Sequence, residues 1–271
     1  MRVAYGKLLL ARNFHHLRHR AMDRLLEATR RVEQSHFWWI GFRRFFEPLI
    51  AAATRGVHNP LVLDCGCGTG ANLRLLGRYG KAFGFDISQT GLEYAREYGE
   101  SRVVSATITN VPFESATFHL VTAFDVLYSL SEEQEECAVD EMFRVLRPGG
   151  TLLVNVAALK ILRGNHSLFG DEVRRSTRRR LRRVLSRAGF TVERLTYTNA
   201  SLFPLMLAVR TAQRMTGLAT PEEAGTDIVL PPRPLNAALA AVLRLEARAL
   251  RIVDMPIGSS LLAVARKSAQ R

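Results

Sequence analysis

The 271-residue sequence predicts an α/β fold: a doubly wound sheet, mostly parallel with an antiparallel last strand, plus an N-terminal helical cap and a helical insertion before the last strand. Three observations predict it. Between Leu61 and Val156 short apolar runs alternate with helical periodicity, as parallel strands joined by crossover helices do. Each strand run is continuous in apolar character, which suits strands covered on both faces. The first run ends in glycines 66, 68 and 70 and then a helix, the local design that opens a ligand crevice at the carboxyl ends of such a sheet.

Residues 1–55 carry helical periodicity and clustered aromatics (Phe37, Trp38, Trp39, Phe42, Phe45, Phe46), so a cap over the open edge of the sheet is expected. The core, 56–200, then takes strands at Leu61–Asp64, Lys81–Asp86, Arg102–Thr107, Leu120–Asp125, Thr151–Val156 and Thr191–Thr198. Before the fifth strand, Ser131 caps a helix with glutamates 132, 133, 135 and 136 at its positive end and Arg144 and Arg147 at its negative end, stopped by Pro148-Gly149-Gly150. A helix at Thr177–Arg187 is stopped by Gly189. The insertion, 201–257, has a Pro-rich stretch at Leu230–Pro234 and an amphipathic helix carrying Leu235, Leu239, Val242, Leu243 and Leu250, and Ser259–Arg266 within 258–271 is the last strand.

Apolar residues make up 47% of the chain, enough to bury a sizeable core. The apolar run Leu8–Ala11 is too short for an export signal, and Ala200–Val209, broken by Pro204, is too short to span a bilayer. Three cysteines, two of them in one tight C-x-C at Cys65 and Cys67, give neither a disulfide framework nor zinc spacing, so no metal is expected. A cytoplasmic protein, with peripheral contact at the inner face of the membrane as an option, is the expectation. The net charge of +13 draws anions, through phosphate or acidic metabolite chemistry or through arginine-biased composition alone. His15, His16 and His19 among arginines read as a solvated face rather than a metal site.

The glycines let the backbone turn sharply and let a ligand approach with no Cβ between. Gly66, Gly68 and Ala71 also satisfy the dinucleotide fingerprint, so a nicotinamide-dependent oxidoreductase stays open. Against it, Asp64 at the mouth of the loop repels a pyrophosphate and attracts an ammonium, and no Tyr-x-x-x-Lys pair is present. Asp86 lies 22 residues after Asp64, the spacing at which a carboxylate accepts from ribose hydroxyls; the plainer alternative is an acid capping the turn at Ser88.

Taken together, Asp64-x-Gly-x-Gly-x-Gly70, Gly84-Phe-Asp86-Ile-Ser, Val111-Pro-Phe113, Phe124-Asp125-Val-Leu-Tyr128 and Leu146-Arg-Pro-Gly-Gly-Thr151 resemble, in order and spacing, the Rossmann-like class I S-adenosylmethionine-dependent methyltransferases, over roughly residues 60–200. The resemblance implies that S-adenosyl-L-methionine is the cofactor. Its methionine part is then backed by Asp64, Gly66, Cys67, Gly68 and Gly70, its ribose held by Asp86 beside Ile87, and its adenine flanked by Thr107 and Ile108, over a floor of Phe124 and Asp125. Similar enzymes often have Asp where Thr107 stands, which implies a weaker adenine contact. The run Glu33-x-x-His36-Phe-Trp38-Trp39-x-x-x-Arg43 is similar to a segment ahead of the glycine loop in a bacterial subset; there Trp39 covers the cofactor and Arg43 meets its carboxylate, the alternative being plain hydrophobic packing.

Similar bacterial enzymes have a His and a Tyr where this chain has Glu172 and Ser176, so the segment's role does not carry over. His166, Asp171 and Tyr128 follow strand ends on the acceptor side and are the candidate catalytic residues. Methyl transfer is an in-line displacement that needs alignment first and a base only if the acceptor atom starts protonated; for a carbon acceptor Trp38, Trp39, Phe124 and Tyr128 offer aromatic faces to the cation formed. The arginine run 174–183 lacks interleaved aromatics, which disfavours nucleic acid. A small hydrophobic acceptor (isoprenoid, lipid-linked or secondary metabolite) is expected, with 201–257 as lid, membrane-surface contact or homodimer contact. The alternative is a nucleic-acid methyltransferase or a non-catalytic cofactor-binding module.

Overall fold

The computed structural model of the chain describes residues 23–162, 173–216 and 229–269. The candidates His166 and Asp171, Glu172 and the histidines at 15, 16 and 19 lie outside the described residues.

The strands are β1 (Leu61–Cys65), β2 (Lys81–Asp86), β3 (Val103–Ser105), β4 (Phe118–Phe124), β5 (Leu146–Ala157), β6 (Phe190–Thr198) and β7 (Ser260–Lys267). They form one seven-stranded sheet in the order β3-β2-β1-β4-β5-β7-β6. The first five run parallel, and β7 lies antiparallel between β5 and β6. The chain starts in the middle, winds out to β3, returns to β4 and winds the other way, so β1 and β4 flank a switch point whose crevice opens at their carboxyl ends.

Residues 23–32 are helical (α1), followed by α2 (Phe37–Ala53), α3 (Ala71–Leu76), α4 (Gln89–Glu97), α5 (Glu132–Val145), α6 (Arg178–Arg187), α7 (Phe203–Thr216) and α8 (Arg233–Ala249). Alternation along the strands sends neighbours to opposite layers. Leu63 joins Phe118, Val121, Met142 and Leu181 under α5 and α6, while Val62 joins Phe46, Ile50, Leu76, Leu243 and Leu262 under α2, α3 and α8.

Strand positions agree with the sequence pattern, but three expectations change. The third strand is only Val103–Ser105 rather than Arg102–Thr107. Pro148-Gly149-Gly150 does not stop α5: the helix turns extended at Leu146 (ψ 140°), and the Pro-Gly-Gly lies within β5. The N-terminal aromatics cover a face of the sheet rather than its edge, because α2 packs beside α8 over β4 and β5. That pairing also uses most of the apolar side of α8: Leu243 and Leu250 are buried and Leu239 packs against the same cluster, whereas Leu235 and Val242 stay exposed. Asn236 ties the two helices, accepting from Phe37 N (2.8 Å) and donating to the Ser35 carbonyl (2.9 Å).

The glutamates that open α5 and the arginines of α6 meet each other. Arg180 reaches Glu132 (3.0 Å) and Glu135, and Arg187 reaches Glu136 (3.0 Å). Arg174 donates to the Leu130 carbonyl (2.7 Å), and Arg178 donates to the Met255 carbonyl (2.6 Å) beneath the Tyr197 ring. Much of the arginine run is thus spent holding helices and loops together. Among the described residues no helix is long and apolar enough to cross a membrane, and no group of three or more His, Cys, Asp or Glu could hold a metal.

Candidate functional site

The β1 strand delivers Gly66, Gly68 and Gly70 in left-handed conformation, φ +76°, +49° and +78°. At Gly66 the space is closed as well, since a Cβ would sit 2.9 Å from Val126 Cγ2. Gly66 N and Cys67 N both donate to the Phe85 carbonyl, which ties the loop to the end of β2. There Asp86 accepts from Gly68 N through one oxygen and from Ser88 N through the other, each at 2.8 Å. Burial raises its pKa, and the Ser88 and Gly68 N–H groups oppose the rise. The acid therefore caps the Ser88 turn and holds the glycine loop at once.

Asp64 is not at the mouth of the loop. It is 1% exposed, its carboxylate accepts from Thr122 Oγ1 at 2.6 Å, and burial pushes its pKa up to about 7. Any effect on a ligand is exerted from behind the loop. The Cys65 and Cys67 thiols are free and raised by burial, hence unreactive.

The cap reaches the loop through Glu33, whose two carboxylate oxygens both receive Thr69 Oγ1, at 2.9 and 2.8 Å. Burial raises Glu33, with the Thr69 bond and the nearby Arg43 charge opposing. Arg43 donates to the Glu33 carbonyl (2.7 Å) and is not among the residues lining the cavity, so in this structure it supports the cap. His36 caps α2 by accepting from Trp38 N (3.1 Å), and burial lowers its pKa. With Nδ1 accepting, neutral His36 carries its proton on Nε2.

At the end of β4, Phe124 meets the Phe42 and Phe46 rings at 5.1 and 4.4 Å, and Asp125, at φ +55°, accepts from Asn155 Nδ2 (2.8 Å). These elements enclose a cavity of about 520 Å³, within the range of small-molecule sites.

Of the residues named from the sequence, Trp39, Gly66, Cys67, Gly68, Asp86, Ile87, Phe124, Asp125 and Tyr128 line this cavity. Asp64, Gly70, Thr107, Ile108 and Arg43 do not. Gly70 packs under α4, where a Cβ would meet Ala95 at 2.7 Å. Ile108 belongs to the core, and Thr107 is exposed and engaged with Thr109. The cavity also gathers Leu25, His36, Met206, Arg210 and Ser260, which sequence reasoning gave no site role, and Arg175 from the arginine run. For Arg210 no local signal exists, since its helix meets the other walls only in the folded chain.

Residues 63–154 match the family described as "Methyltransferase domain". A tRNA N(3)-methylcytidine methyltransferase of Drosophila melanogaster is 30% identical over 185 residues, covering 58% of this chain and 57% of that protein. A ubiquinone/menaquinone biosynthesis C-methyltransferase of Salmonella arizonae is 36% identical over 104 residues, 34% of this chain and 41% of that one. The chain thus spans little more than half of the first relative and less than half of the second. Among solved structures, a 4+2 cyclase superposes with TM-score 0.54 at 24% identity over 84% of this chain and 82% of its own, a likeness of fold. The sheet order, the glycine loop and Asp86 thus fall within a segment, residues 63–154, that is a methyltransferase domain with the Rossmann-like fold of class I S-adenosylmethionine-dependent enzymes.

Proposed function

We propose that the protein transfers a methyl group from S-adenosylmethionine to a small acceptor with an apolar body. The observation that carries this reading is one cavity reaching from the glycine loop and Asp86 to the ends of β5 and β7. From β2 to β5 and β7 is three to four strand spacings, about 14–19 Å.

The residues present fit the cofactor. Left-handed glycines leave the loop open to close approach, and Asp86 faces the cavity with lone pairs beyond the two it gives to N–H groups. In this reading Gly66, Cys67, Gly68 and Trp39 hold the methionine part, Asp86 and Ile87 the ribose, and Phe124 and Asp125 the floor, while Thr107 and Ile108, which do not line the cavity, make no direct contact with the adenine. Asp64 and Gly70 keep the loop in shape, and Arg43 acts through Glu33. When bound, the cofactor supplies an electrophilic methyl group.

The chain's own task is alignment and exclusion of water, which α1, α2 and α7 perform by walling the cavity with Leu25, Trp38, Trp39 and Met206. His36 is committed to its helix cap. Of the acceptor-side catalytic candidates read from the sequence, Tyr128 is the one among the described residues, and it lines the cavity; its phenolate form is what would take a proton from a hydroxyl or amine acceptor.

Calorimetric titration with S-adenosylmethionine, S-adenosylhomocysteine and NADH tests the cofactor. Binding of both adenosyl ligands, lost in a folded Asp86→Ala variant, supports the reading; NADH alone binding overturns it. A nucleic-acid acceptor is the second reading, favoured by the first relative's name. Incorporation of labelled methyl into bulk tRNA would establish it.

A further inference from the structure

We propose that the outward half of α8, with the turn that follows it, docks on an anionic membrane surface. The inner half of the helix is used within the protein: Ala240, Leu243, Glu246 and Ala247 are buried, Leu243 and Ala247 in the cluster that α2 also covers. The outer half lacks the uniformly polar character of a solvent-facing side. At 3.6 residues per turn, Leu235, Val242, Leu245 and Ile252 fall within an arc of about 100°, and Arg233, Arg244, Arg248 and Arg251 within a neighbouring arc of about 60°. Alanines 238, 241 and 249 fill the apolar flank, so no charge interrupts it. Leu245 is 62% exposed and Ile252 92%, and Val253 is exposed as well. The turn that presents Ile252 is hydrogen-bonded, with Ile252 N and Val253 N both on the Ala249 carbonyl at 3.0 Å. Single exposed apolar residues are ordinary, but a strip of them bordered by cations on one side is the pattern of a helix that lies in a lipid headgroup layer.

Charge identifies the partner. Glu246 is the one acid in Arg233–Ala249, and it is turned inward, accepting from Ala200 N and Ser201 N at 2.9 Å each. Asp254, next along the chain, is taken by Arg194 (2.7 Å). Arg244 donates to the neutral Ala240 carbonyl (3.1 Å), and among the described residues no ion pair involves Arg233, Arg244, Arg248 or Arg251, all four exposed. Two copies of the chain meeting through this face would crowd arginines together with no acid to receive them. An anionic bilayer offers both of the things the face lacks, hydrocarbon for the apolar flank and phosphate at headgroup level for the guanidiniums. The Glu246 bonds also set the start of α7 beside α8, one turn from Val242. Helix α7 exposes Leu205 and Val209 while its Met206 lines the cavity, so it carries lipid-compatible residues on one side and the cavity on the other. The docking face is independent of the methyltransferase reading.

Flotation of the full chain with vesicles, without cofactor, tests the proposal. The vesicles are phosphatidylcholine alone, and phosphatidylcholine and phosphatidylglycerol in equal parts. Binding to the mixed vesicles should be about ten-fold or more tighter and should weaken as salt is raised. Arg248→Gln and Arg251→Gln should each lose about five-fold. Leu245→Gln and Ile252→Gln should each lose about ten-fold. Arg182→Gln, exposed on α6 across the sheet, removes the same charge from the +13 total and should lose nothing. All five positions are exposed, so each variant should keep the parent's thermal midpoint.

No binding to the mixed vesicles overturns the proposal. So does an equal loss in Arg182→Gln and Arg248→Gln, the mark of net charge alone, and so does binding indifferent to both Leu245→Gln and Ile252→Gln. A concentration-dependent dimer in sedimentation, broken by Leu245→Gln in a chain that ignores vesicles, gives the face to a second copy and overturns it too.

Discussion

Glu33 and Asp64 are carboxylates that the fold withdraws from water, and a threonine hydroxyl meets each: Thr69 for Glu33 and Thr122 for Asp64. Burial moves Asp64 from 3.8 to about 7, so the folded chain keeps a proton there that the unfolded chain has already released. The stability this contributes is full below pH 3.8 and is lost as pH rises to about 7. The urea midpoint of the unliganded protein should fall between pH 4 and 7, and Asp64→Asn, which keeps a partner for Thr122, should flatten that fall; an unchanged slope in the variant would refute it. Gly66→Ala combines a left-handed backbone with a methyl against Val126, and should cost about 1–3 kcal/mol by urea denaturation. The glycines and Asp86 were legible in the sequence because a turn of that shape admits few residue types. Glu33 was not, since nothing local separates a surface glutamate from one whose hydroxyl partner lies 36 positions on. Arg43 was misplaced for the same reason, its partner being a backbone carbonyl that carries no sequence signal.

The element scale separates charge pairs by burial. The Glu135 side chain is 4% exposed against Arg180, whereas the Glu136 and Arg187 side chains are 43% and 64% exposed. Glu135→Ala removes one of the two carboxylates on Arg180 and leaves Glu132 to pair it, so it should cost about 1.5–3 kcal/mol, and Glu136→Ala at most about 1 kcal/mol. Equal costs in the two variants would contradict the assignment. Between α2 and α8 the contact is steric: a Cβ on Gly41 would lie 2.4 Å from Leu243 Cδ1. Gly41→Ala and Leu243→Ala should each destabilise, the second by about 2–5 kcal/mol, and the double variant by less than their sum. Strands and helices were readable from periodicity, which tells which face of an element is apolar. It does not tell what covers that face, and so α2 was expected at the sheet's edge and α8 was left with an apolar stripe for an outside partner, when each covers much of the other.

The whole molecule is a sheet with a cavity at one end, closed by segments from distant parts of the chain. Ligand that binds only the folded form should stabilise it as a unit, and S-adenosylhomocysteine at about 100 times its Kd should add about 2.7 kcal/mol to unfolding, with NADH adding nothing. A thermal melt in each ligand checks this. Asn236 binds the backbone at Phe37 across 199 positions. At the usual pace of protein synthesis, about 5–20 residues per second, α2 then waits on the order of 10–40 s for its neighbour to be made. Throughout that interval Phe42, Phe45 and Phe46 have a sheet in preparation beneath them but no α8 beside them. A nascent chain caught at that stage exposes those rings, and a chain cut before α8 would make the wait permanent.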